Sequence, residues 1–326
     1  MRFSQFLSIL LPVFVITTNT SLSNGQVNTL PRCGTQAADK GFGKALERVK
    51  AYENAIRLRT REDVDSGQRG SLHSLDVTVH FHTVSSTEKV GAITDDALKA
   101  QFGVLRKTYA DYDINLHWNG IVASQTVDDW LAKFTWPITS DRVAQKRDFL
   151  SSTRLGGYDE LNFYFYTDMA VGAWGSCNVA KENVTVNFDD IVFREDGCNI
   201  NYLSLPGGPH PVVNLGYTVV HEAGHWFGLQ HVFSTFACDD VGDTIDDTPA
   251  TSEPTTGCPI RKDSCQDMPG LDPIHNFMDY SDDACLTEFT RDQKIRMHAT
   301  WTTLRSNLTT FSAKNHLSTK LDSRND

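Results

Sequence analysis

Between residues 36 and 58 apolar positions recur among charged ones, with Ala45, Leu46, Val49, Ala55 and Ile56 on one stripe, which predicts an amino-terminal helix. The next stretch, Arg57 to Gly70, is polar, basic in its first part and glycine-containing, and reads as an exposed, easily cut connector. From Leu75 to Val84 the period changes to two, the mark of a strand. His80 and His82 share one face of that strand and read as structural residues. Ile93 to Tyr112 returns to helical spacing, with Thr94 placed as N-cap and Asp95 and Asp96 at the positive end. There follow a strand from Ile114 to Ala123, a helix after Ser140, a strongly apolar strand from Leu161 to Tyr166 and a further strand from Val184 to Phe193. Thr290 and Gln293 have capping-box spacing and open a carboxy-terminal helix to about Leu304. Residues 311–326 carry no such pattern and read as a disordered tail. Mixed strands and helices without repeats predict an α+β chain.

One helical segment carries chemistry. In HEAGHWFGLQH, His221 and His225 lie four residues apart, so both imidazoles leave one helix face toward a single ion. Gly228 lets the chain leave the helix through a conformation that disfavours a Cβ, and the turn delivers His231 as a third ligand. Three neutral nitrogens leave the fourth position of Zn²⁺ open, which marks a catalytic site. Glu222, beside the first ligand, is placed to act on water as general base and later acid. With 11 His and 22 Gly in 326 residues, this constellation is a poor candidate for accident.

The first residues change the picture of where such a site works. Arg2 precedes an apolar run from Phe6 to Ile16 and then small and polar residues, so residues 1–22 read as a secretory signal, a membrane-anchored terminus being the alternative. The run is too short to span a bilayer, and no later segment is long and apolar enough. Hydrophobic content of 40% and charged content of 22% are ordinary globular values. A net charge of −11 argues against nucleic-acid or anionic-membrane partners. The expected product is a secreted, extracellular monomer with no stable membrane association. Asn183 and Asn307 lie in N-x-S/T sites and are candidate glycosylation positions, whereas Asn19 would leave with the signal.

The pattern HExxHxxGxxH resembles that of the metzincin metalloproteases, whose Met-containing turn has a counterpart in NFMDY, 47 residues beyond His231. That resemblance makes Met278 the apolar floor under the three imidazoles and Tyr280 a hydrogen-bond donor to the tetrahedral intermediate. Further segments, SLPGG (Ser204 to Gly208), HWFGLQHVF, GDTIDDTP (Gly242 to Pro249) and PGLDPIHNFMDYSDDACLTEFT, are similar to the pappalysin branch and its secreted microbial members. The resemblance covers most of residues 204–300. It implies a metzincin-type fold: a twisted mixed sheet with the zinc helix, then an irregular, disulfide-stapled subdomain ending in a helix. It implies a zinc endopeptidase acting on proteins or peptides, with the S1′ pocket drawing on Ser281 to Leu286, where the preference set by Asp282 and Asp283 stays open.

The cysteines extend this reading. Six of the seven fall late in the chain, which suggests three disulfides in a secreted protein but leaves their connectivity open. The resemblance favours Cys238–Cys265 and Cys258–Cys285, which leaves Cys177 with Cys198. The odd one, Cys33 in PRCGTQ, is similar to a cysteine switch, in which a propeptide thiolate takes the fourth zinc position. The blander possibility is an unpaired or intermolecular cysteine. Residues 23–70 are thus expected to be a propeptide, cut between about 57 and 71, and 71–310 the catalytic domain. In CDDVGDTIDDTP, Asp240, Asp243, Asp246 and Asp247 with Thr248 are oxygen donors of the kind Ca²⁺ takes. The resemblance selects Asp243 and Thr248 as the calcium ligands, a solvated acidic loop being the alternative. Two other functions remain open from sequence: a secreted binding protein with a structural Cys-His₃ zinc site, and a zinc hydrolase of non-peptide amides.

Overall fold

The computed structural model describes residues 33–35, 40–65, 72–133, 143–169, 173–187, 189–233, 238 and 242–306. The signal segment, Asp240, Asn307 and the tail lie outside the described residues. Seven α-helices and six strands are described: α1 Lys40–Asp65, β1 Leu75–Ser86, α2 Asp95–Ala110, β2 Ile114–His117, β3 Val122–Val127, α3 Asp129–Ala132, α4 Val143–Thr153, β4 Leu161–Tyr166, β5 Gly175–Cys177, α5 Ile191–Glu195, β6 Cys198–Asn201, α6 Tyr217–Trp226 and α7 Arg291–Thr300.

The strands form one mixed sheet in the order β2-β1-β4-β6-β5, with β3 also paired to β1. All pairs are parallel except β5 with β6, which puts an antiparallel strand at the edge. Parallel strands need crossovers, and α2 and α4 supply them. On one face Val77, Val79 and Phe81 of β1 pack with Leu98, Leu105 and Tyr109 of α2 and with Val219, Val220 and Ala223 of α6. On the other, Val84, Tyr164 and Tyr166 pack with Leu150 of α4. Covered on both sides, β4 is buried at all six positions, with Leu161, Phe163 and Phe165 in one layer and Tyr164 and Tyr166 in the other.

Thr94 caps α2 by accepting from the N–H of Ala97, and Thr290 with Gln293 closes the capping box of α7. After Thr300 the last helix widens into a π-helical turn, Trp301–Arg305. Three expectations are corrected. The strand foreseen over 114–123 is two strands, β2 and β3, because the chain turns at Gly120 (φ +81°), and both pair with the same long β1. The described residues of 184–193 form no strand. There the Asn187 side chain accepts from the N–H groups of Asp189 and Asp190, and Asp190 then caps the short α5 through Val192. The third concerns Arg57 to Gly70, whose first part is helical, since α1 runs on to Asp65. Nothing in that part breaks a helix, and Arg57 is tied to α7 through Asp292 at 2.8 Å.

Disulfides join Cys177–Cys198, Cys238–Cys265 and Cys258–Cys285. The first links β5 to β6; the others cross-link the irregular segment between α6 and α7. Helix α1 lies along α7, where Ala45, Val49 and Ile56 pack with Ile295, Ala299 and Leu304. No helix among the described residues is long and apolar enough to cross a membrane.

Candidate metal centre

Helix α6 is buried along nearly its whole length, so its polar side chains are aimed into the protein. His221 and His225 leave one face, as their spacing dictates. The helix then ends at Gly228, whose φ of +91° lets its N–H and that of Leu229 bond back to His225 O and Gly224 O. A Cβ at Gly228 would run into the Thr300 side chain of α7, so the turn needs glycine for space as well as backbone freedom. Beyond the turn His231 comes back toward the helix, its ring stacked on Phe233 at 4.9 Å.

The Nε2 atoms of His225 and His221 lie 3.1 Å apart, as do those of His225 and His231. The Nδ1 of His221 donates to Phe277 O (2.7 Å) and that of His225 to Leu229 O (2.9 Å). With the proton on Nδ1, each Nε2 offers a lone pair to the same point, an arrangement that repels itself unless a cation sits there. Burial lowers the pKa of His225 to about 4 and holds that of His231 well below its ordinary value, so both imidazoles are neutral, as ligands must be. Tetrahedral zinc with Zn–N of about 2.0–2.1 Å separates its nitrogens by roughly 3.3–3.4 Å, close to the spacing here. The residues present therefore fit a zinc ion.

Cys33 closes the set. Its Sγ lies 3.3 Å from His225 Nε2, and the four potential ligand atoms of Cys33, His221, His225 and His231 all fall within 4.8 Å of one another. The other six cysteines are in disulfides and Cys33 is free. Glu222, fully buried, reaches the same place, with Oε2 3.4 Å from Cys33 Sγ. Burial and the neighbouring Glu222 charge push the Cys33 thiol well up.

The segment Asn276 to Tyr280 passes beneath. Met278 is completely buried, and a Cβ at Gly224 would come within 2.6 Å of its Sδ. This turn is held by Asn276, which exchanges two hydrogen bonds with Gln293 of α7 and accepts from the Met278 N–H. The Tyr280 hydroxyl stands 3.3 Å from His231 Nε2 and donates to Cys33 O at 3.2 Å.

Of the oxygen donors after α6, Asp243 and Thr248 come together among the described residues. Thr248 donates to Asp243 Oδ1 at 2.6 Å, and the Ile245 N–H donates to the same atom. Among the described residues the buried Asp243 Oδ2 meets no hydrogen-bond partner, and burial raises the carboxyl pKa to about 7. Asp246 instead faces Arg57, and Asp247 accepts from the Asp292 N–H. Asp283 is buried and accepts from the Leu215 N–H. Asn183 is exposed in a left-handed loop conformation (φ 56°). His80 pairs with Glu160 and His82 with Asn162, and neither belongs to the metal cluster.

Two features had no sequence signal. Gly175 of β5 faces Glu222 so closely that a Cβ would lie 2.6 Å from Glu222 Cγ. Asp196 anchors the far end of α6, accepting from Trp226 Nε1 and bidentately from Arg305, which also donates to Trp226 O.

The Peptidase M43 family model, described as pregnancy-associated plasma protein-A, matches residues 158–302. An extracellular metalloprotease of Colletotrichum graminicola is 40% identical over 270 residues, 81% of this chain and 91% of that protein. One of Neurospora crassa is 35% identical over 285 residues, 86% and 92% of the two chains. A promirolysin mutant of Tannerella forsythia shares the fold, with a TM-score of 0.58 at 20% identity over 82% of this chain and 92% of that one.

Proposed function

This chain belongs to the M43, or pappalysin, family of zinc metalloendopeptidases, and from there we propose that it is a secreted, extracellular enzyme held latent by its own amino-terminal segment. The observation that carries the reading is the approach of Cys33 Sγ to the three converging imidazoles. In this reading residues 1–22 are the signal, 23–70 the propeptide and 71–310 the catalytic domain, working as a monomer. The binding-protein and non-peptide hydrolase readings are set aside by membership of a peptidase family.

His221, His225 and His231 would hold the zinc, with Cys33 as fourth ligand before activation. Zinc, when bound, polarises a carbonyl and acidifies a water. Glu222 takes the proton from the attacking water and returns it to the departing amine. The Tyr280 hydroxyl, freed from the Cys33 carbonyl, donates to the oxyanion, and Met278 supports the imidazoles from below. Asp243 and Thr248 would take structural calcium, supported by the buried Asp243 Oδ2, which meets no partner among the described residues. Asn183 and Asn307 would carry glycans.

The test compares the intact chain, the chain lacking its amino-terminal segment and the shortened Glu222→Ala variant on a mixed peptide library, with zinc content measured for each. Cleavage by the shortened wild type alone is expected. Equal cleavage by the intact chain would remove latency from the account, and normal cleavage by Glu222→Ala would remove Glu222 from its role.

A further inference from the structure

We propose that Thr35 is a second latency determinant, one that holds the general base Glu222 while Cys33 closes the metal position. The inference rests on the latency reading above and extends it to a residue with a different target.

The segment Cys33 to Thr35 runs beside the edge strand β5 as a parallel partner. Cys33 bridges Gly175, and the Gly34 N–H donates to Gly175 O at 2.7 Å. This pairing carries the Thr35 side chain to the last residue of β5, Cys177, which is itself anchored to β6 by its disulfide. There the Cys177 N–H donates to Thr35 Oγ1 at 2.8 Å. The hydroxyl has one proton to give and two acceptors in reach, Glu222 Oε2 at 3.0 Å and Cys177 O at 3.3 Å. A carboxylate at the shorter distance is the stronger acceptor, so the proton goes to Glu222. Fixed by a backbone donor on one side, the hydroxyl is presented to the carboxylate on the other.

Cys33 cannot do this alone. Its Sγ is farther from Glu222 Oε2, at 3.4 Å, and a sulfur ligating zinc has no S–H left to donate. The same residue supports the sulfur as well, since the Thr35 N–H donates to Cys33 Sγ at 3.1 Å. The hydroxyl oxygen of Thr35 thus occupies a hydrogen-bonding position on Glu222 Oε2 that a reacting water needs. Withdrawing the segment from β5 would free the base and the metal position in one movement.

The experiment uses the intact zinc-loaded chain as wild type, Thr35→Val, Thr35→Ser and Cys33→Ala, each confirmed unprocessed by mass. Thr35→Val keeps the shape and removes the hydroxyl; Thr35→Ser restores it. Two readouts are taken: alkylation of Cys33 by iodoacetamide, which requires its sulfur to leave the metal position, and peptide turnover before any cleavage of the chain. Thr35→Val is expected to be alkylated about tenfold faster or more and to turn over peptide, Thr35→Ser to resemble wild type and Cys33→Ala to be active. If Thr35→Val matches wild type in both while Cys33→Ala is active, the Thr35 assignment fails and the cysteine latency survives. If Thr35→Ser behaves like Thr35→Val, the hydroxyl is not the operative group and the proposal fails. A silent Cys33→Ala with full zinc would overturn the latency reading and this inference together.

Discussion

Glu53 of α1 and Arg296 of α7 form an ion pair with side chains only 5% and 1% exposed, and the same guanidinium donates to Thr244 O and Oγ1 in the acidic loop. The amino-terminal segment therefore has an anchor on the last helix as well as one at the metal centre. An unpaired charge left at such a site is expensive.

Glu53→Ala should destabilise the intact chain by about 3–5 kcal/mol, because Arg296 stays buried without its partner. Urea unfolding of the intact chain measures this. A loss below about 1 kcal/mol, the range of surface pairs, would mean that α1 is not firmly docked through this contact.

Gly175→Ala should leave zinc content unchanged and lower turnover of the shortened enzyme by roughly a hundredfold or more. The added methyl would lie 2.7 Å from Glu222 Oε1 and force the general base aside without touching a ligand. Metal analysis beside peptide kinetics decides it, and wild-type turnover would show that Glu222 tolerates displacement.

Gly228→Ala should impair metal binding itself. At φ +91° a side chain is strained by about 1 kcal/mol or more, and the methyl also meets Thr300, so the turn delivering His231 shifts. Zinc competition with a chelator is expected to show weaker retention than wild type. Unchanged retention would mean that the turn can reform around a Cβ.

Acid sensitivity should depend in part on His82. Stacked on Tyr164 at 4.3 Å and buried, it has its pKa lowered from 6.5 to about 4, burial being the main cause. The unfolded chain thus takes up the proton first as pH falls. The contribution is present above pH 6.5 and is lost as pH falls through about 4, an effect of roughly 3 kcal/mol. Denaturant titrations at pH 7 and pH 4.5 should show a smaller drop in stability for His82→Phe than for wild type. An identical drop would assign the acid sensitivity elsewhere.

Calcium should raise the melting temperature of zinc-loaded protein by several degrees, and Asp243→Asn should abolish the shift. Zinc alone restoring full thermal stability after chelation would refute a calcium site at Asp243 and Thr248.

The metal-binding pattern was readable because it is local: His221, Glu222, His225, Gly228 and His231 lie within eleven residues, where helix period and one glycine turn set the geometry. The caps of α2 and α7 were legible for the same reason, as was the strongly apolar β4. Where side-chain chemistry competes with period, the pattern misled. The residues from Val184 to Phe193 look β-forming, but Asn187 and Asp190 capture the backbone N–H groups that a strand would pair. Contacts across long separations emerge from packing alone. Thr35 reaches Glu222 over 187 residues, Glu53 reaches Arg296 over 243, and Arg305 reaches Asp196 over 109. Such pairs leave no periodic trace, because each depends on the packing of a whole sheet and two helices rather than on the residues beside it in the chain.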